Sequence, residues 1–80
     1  MDIKEAWDIL KSYYTMKRLI ELCANQKIDN TEQDDIKRYR FFASLLCEKE
    51  KFAVTEKRKR ELLEAAQAFE DEAAKEFYNI

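Results

Sequence analysis

Read at about 100° per residue, the first third of the chain describes one long amphipathic helix. Ile3, Ala6, Trp7, Ile9, Leu10, Tyr13, Tyr14, Met16, Ile20 and Cys23 cover an arc of about 200°, with Lys4, Asp8, Lys11, Arg18 and Glu21 on the wet side. The predicted helix runs from 2 to 27 and is about 37 Å long. Asn25, Lys27, Asp29 and Asn30 then supply turn-compatible polar residues. Thr31 caps a second helix, with Glu32, Asp34 and Asp35 placing negative charge at its positive end.

The second helix, predicted over 32–53, carries two apolar stripes. Ile36, Tyr39, Phe42, Ala43, Leu46 and Cys47 form one; Phe41, Leu45 and Phe52 form another, rotated from the first by well over about 100°. A single three-helix core does not easily consume both. Past a bend at 53–55, where Thr55 offers a cap, the third helix spans 56–78. Leu62, Ala65, Ala66, Phe69, Ala73, Phe77 and Ile80 share its apolar face. A continuous helix from 32 to 78 would instead be a rod of about 70 Å, which needs a partner to cover it.

Composition strengthens this picture. The 80 residues contain no Gly, Pro or His. Tight hairpins depend on Gly for positive φ, so an all-α fold is expected. The specific arrangement predicted is an antiparallel hairpin of helices 1 and 2 with a third helix folding back, a three-helix bundle that a second copy of the chain could complete. Charge is segregated within a net of −2. Residues 36–60 hold nine basic and three acidic side chains, whereas 61–80 hold one basic and six acidic.

The inventory excludes most chemistry. Without His, the commonest general base and metal ligand are missing. Without Gly there is no phosphate-cradling loop and no nucleophile elbow. Two cysteines make no zinc site, and the same-face pairs Glu61/Glu64 and Glu72/Glu76 are ordinary on a wet helix. No catalytic, cofactor or metal site is therefore predicted, and the chain is expected not to be an enzyme. Neither a membrane span nor a signal peptide is legible, which points to the cytoplasm. In the predicted hairpin Cys23 and Cys47 stand about 16 Å apart, too far for a disulfide, and both read as small buried residues.

What remains is binding. Surplus apolar surface points to a protein-binding module: a regulator, adaptor or inhibitor, of the kind phages and other mobile elements encode. Its predicted contacts are Phe41, Leu45 and Phe52, with Trp7 and Tyr14 as a second set. Arg38, Lys49 and Lys51 would steer a partner bearing an acidic patch. The rival reading is a nucleic-acid surface built from Lys37, Arg38, Arg40, Lys57, Arg58, Lys59 and Arg60. A homo-oligomer that buries the second stripe against itself is the third reading.

Overall fold

The computed structural model describes residues 1–29 and 34–78, and all its regular structure is helical. Among the described residues there are four helices: α1 (Ile3–Tyr13), α2 (Met16–Asn25), α3 (Asp35–Glu50) and α4 (Glu56–Tyr78).

The single first helix expected over 2–27 is two. Asp2 starts α1 by accepting the Glu5 amide at 2.8 Å. The helix ends at Tyr14, whose backbone is extended (φ −135°, ψ 136°). Thr15 then begins α2, its hydroxyl accepting the Arg18 amide at 3.1 Å. The break corrects the phase of everything after it. In one straight helix Leu10 and Leu19, nine residues apart, would sit on opposite faces. Across the break both are buried, while Ile20 and Met16, expected on the core side, turn outward.

α2 ends without the glycine that helix ends favour. The Ile28 amide donates to the Cys23 carbonyl at 2.9 Å and the Lys27 amide to the Ala24 carbonyl at 3.0 Å, a Schellman closure. Lys27 occupies the left-handed position itself, at φ 58°. The chain then passes to α3 through a polar clasp. Asp34 accepts the Asp29 amide at 2.6 Å, and Arg38 donates to the Asp29 carbonyl at 2.8 Å while pairing with Asp35. The expected cap at Thr31 and the first predicted turn of this helix lie outside the described residues.

α3 stops at Glu50, short of the expected 53, and α4 starts where Thr55 accepts the Arg58 amide at 3.1 Å. Two breaks in a glycine-free chain thus use the same device, a threonine hydroxyl capping an amide three residues on. The chain doubles back at 51–55, and the molecule measures 37 × 27 × 18 Å.

Its topology is not the predicted hairpin of the first two long segments. Trp7 meets Phe42, and further along both helices Tyr13 and Tyr14 meet Lys49, so α1 and α3 run parallel. α4 runs against both, bringing Phe69 to Trp7 and Phe42 and Arg58 to Tyr13. Phe69 is the hub. Its ring lies 5.5 Å from Trp7 and 5.6 Å from Phe42, both edge-on, and stacks on Tyr39 at 6.1 Å. Ala65, Ala66, Ala68 and Ala73 are buried around it, small enough to let α4 approach its neighbours closely. Leu10, Leu46 and Leu62 complete the interior.

Candidate interaction surfaces

Between α2, the Lys27–Asp29 connection, Trp7 of α1 and Arg38 and Phe42 of α3 lies a groove of about 510 Å³. Buried Leu19, Cys23 and Phe42 form its floor beside the half-buried Trp7. Met16 and Ile20 stand at its edge, 51% and 59% exposed. One end is polar, made by Lys27, Asp29 and Arg38. The sequence pattern missed this groove because it assigned Met16 and Ile20 to the core. The signal that could have revealed it was Thr15, a strong N-cap residue interrupting an apparently continuous stripe.

Burial raises the Cys23 thiol above its ordinary pKa, with the nearby Arg38 charge pulling the other way. The thiol is therefore protonated and unreactive at neutral pH, a packing group rather than a nucleophile. Cys47, expected to be buried, is exposed on α3, and both cysteines are free. Among the described residues no cluster of three His, Cys, Asp or Glu could hold a metal ion. No helix among them is long and apolar enough to cross a membrane.

The predicted contact residues do not gather on one face. Trp7 packs edge-on against Phe42 at 5.0 Å, a core contact. Phe41 and Leu45 are half-buried and packed against the core cluster, so the second stripe of α3 is largely consumed by the fold. Phe52 alone of that stripe projects freely, 80% exposed, next to Val54 at 95%. Tyr14 is half-buried under the Lys49 ammonium, which lies 5.2 Å from its ring centre. Desolvation raises the Tyr14 pKa, opposed by Arg18 and reinforced by Glu48. Lys51 pairs with Glu48 at 3.2 Å.

The two basic clusters are also separated. Lys37, Arg38 and Arg40 lie near the start of α3, whereas Lys57 to Arg60 form the first turns of α4. Because α3 and α4 are antiparallel, these clusters sit at opposite ends of the pair. Four of the seven cations are engaged: Lys37 with Asp34 at 3.8 Å, Arg38 with Asp35, Arg58 with Glu61 at 3.1 Å and Lys59 with Glu56 at 3.6 Å. Arg40, Lys57 and Arg60 are exposed.

No protein-family model, curated protein or solved structure matches this chain.

Proposed function

We propose that this chain is a small, non-catalytic protein-binding module, a regulator, adaptor or inhibitor that works by occupying a partner's surface. The observation that carries the reading is the groove under α2. Its volume of about 510 Å³ suits one or two large apolar side chains, and its edge leaves Met16 and Ile20 half in water. Lys27, exposed at its polar end, favours a partner with a carboxylate next to its apolar anchor. Two free cysteines fit a reducing, cytoplasmic setting.

The test is affinity capture from the source cell, comparing the unaltered chain with Ile20→Asp and with Lys4→Ala, a surface control on the exposed side of α1. A protein retained by the unaltered chain and the control but lost with Ile20→Asp supports the groove. An identical set of captured proteins from all three overturns it.

Binding to a nucleic acid is less well supported, because the basic clusters occupy opposite ends and most of their cations are paired. A salt-sensitive shift with DNA or RNA that Arg40→Glu weakens would reinstate that reading.

A further inference from the structure

α1, α3 and α4 hold one another without α2. α4 packs along both α3 and α1. The Phe69 ring joins Trp7, Tyr39 and Phe42 within that frame, and Arg58 bonds Tyr13 at its far end. α2 lies against the frame only lightly. Of its ten residues Leu19 and Cys23 alone are buried, and the groove of about 510 Å³ beneath it stands where further packing would be. Its ion pair, Arg18 with Glu21 at 3.3 Å, is internal, and among the described residues it makes no other.

α2 is also poorly made as a helix. No acidic residue lies in its first turn and no basic one in its last; Lys17 and Arg18 instead occupy the positive end of its dipole. Ten residues are too few to hold a helix in water without tertiary support. At both of its ends the backbone leaves the helical region, extended at Tyr14 and Thr15 and left-handed at Lys27. Beyond Lys27 the chain is anchored again, with Arg38 donating to the Asp29 carbonyl at 2.8 Å. The two pivots therefore bracket α2.

We infer that α2 is a strap that detaches and unravels as a unit between Thr15 and Lys27 while the frame of α1, α3 and α4 stays folded. Opening releases Leu19 and Cys23 and relieves the left-handed strain at Lys27. It also uncovers Trp7 and Phe42, so the groove widens into a cleft whose occupancy is coupled to the position of α2. The strap belongs to the fold and stands whether or not the groove receives a protein.

Thiol labelling and amide hydrogen exchange in dilute urea test this. The protein carries Cys47→Ser, so that Cys23 is the one thiol, and rates are compared with those of the same groups in the urea-unfolded chain. Cys23 and the amides in the middle of α2 are expected to share one opening equilibrium, at least about tenfold more populated than global unfolding measured by circular dichroism. That opening varies little with urea because it exposes little surface, whereas global unfolding varies steeply. Ala65→Gly and, separately, Leu62→Val loosen the frame at buried positions of α4. Each lowers the urea midpoint and leaves the Cys23 rate unchanged, since the open state keeps α4 packed. Cys23 protection that equals the global value, or falls in step with it in either variant, overturns the inference. So do α2 amides that exchange only on global unfolding, because reagent would then reach Cys23 through an unmoved groove.

Discussion

Arg58 donates its Nε–H to the Tyr13 hydroxyl at 2.6 Å, and its guanidinium carbon lies 4.8 Å from the centre of the same ring. This contact ties the first turn of α4 to the last turn of α1 across 45 positions of sequence. It also raises the Arg58 pKa, chiefly through the bond to Tyr13, so the guanidinium stays charged at any accessible pH. Tyr13→Phe keeps the ring and removes the acceptor. The expected cost is about 0.5–1 kcal/mol, the lower part of the hydrogen-bond range because Arg58 remains partly solvated. Tyr13→Ala removes the ring under Arg58 and Lys49 as well and costs more. Urea unfolding of both variants separates the two contributions; no loss in Tyr13→Phe would show that the hydrogen bond adds nothing, and equal losses that the ring adds nothing beyond it.

Lys27→Gly should stabilise the protein. A side chain at φ 58° places Cβ against the following carbonyl, a strain of about 1 kcal/mol that glycine lacks. Glycine's greater freedom in the unfolded chain offsets part of the gain, leaving about 0.5 kcal/mol. Lys27→Val, with a branched Cβ, shifts the urea midpoint in the opposite direction. A Lys27→Gly variant less stable than its parent would contradict the Schellman assignment.

Phe69→Ala should be close to disabling. The ring touches Trp7, Tyr39 and Phe42 and is fully buried, so its removal costs about 3–5 kcal/mol. A domain this small has about 4–12 kcal/mol in total. The readout is the fluorescence of Trp7, the sole tryptophan, which should shift to the red as the cluster loosens. Phe77→Ala, on the same helix but exposed, leaves both stability and fluorescence unchanged.

Alkali should unfold the molecule in a defined order. Burial raises the Cys23 thiol and the Tyr14 and Tyr39 phenols above their ordinary values, and Asp35, Glu72 and Glu76 push Tyr39 further. The folded state therefore keeps these protons when the unfolded chain has lost them. Their contribution is complete below the unfolded values, about 8.5 for the thiol and 10 for the phenols, and declines as pH rises through the folded ones. Unfolding monitored across alkaline pH should show stability falling from about pH 8.5 upward, and Cys23→Ala should delay the first part of that fall. At neutral pH a thiol reagent should label exposed Cys47 rapidly and Cys23 only as fast as the core opens. Equal labelling rates would mean that α2 does not hold Cys23 as described.

The class of fold was legible because periodicity and the lack of glycine and proline leave helix as the one regular choice. The apolar face of α4 read correctly from Leu62 to Ala73, since one unbroken helix preserves its phase over that stretch. Phase failed after Tyr14. An apolar arc of about 200° looked like one helix with several neighbours and was two helices with a stripe each. The cue was a lone Thr15, repeated at Thr55, each capping an arginine amide three residues later.

The interaction surfaces depended on that same break. Whether Ile20 faces core or groove follows from where α2 points. That direction is set by two φ/ψ pairs at 14 and 15 and by the left-handed Lys27. Local pattern determined helix, charge segregation and the poverty of catalytic groups, because each is a property of residue type and spacing. Tertiary structure decided which apolar residues remain over. α1 runs parallel to α3 and α4 against both, and only that packing half-buries Trp7 against Phe42 and Phe69 while leaving Phe52, Val54, Phe77 and Tyr78 in water at opposite ends.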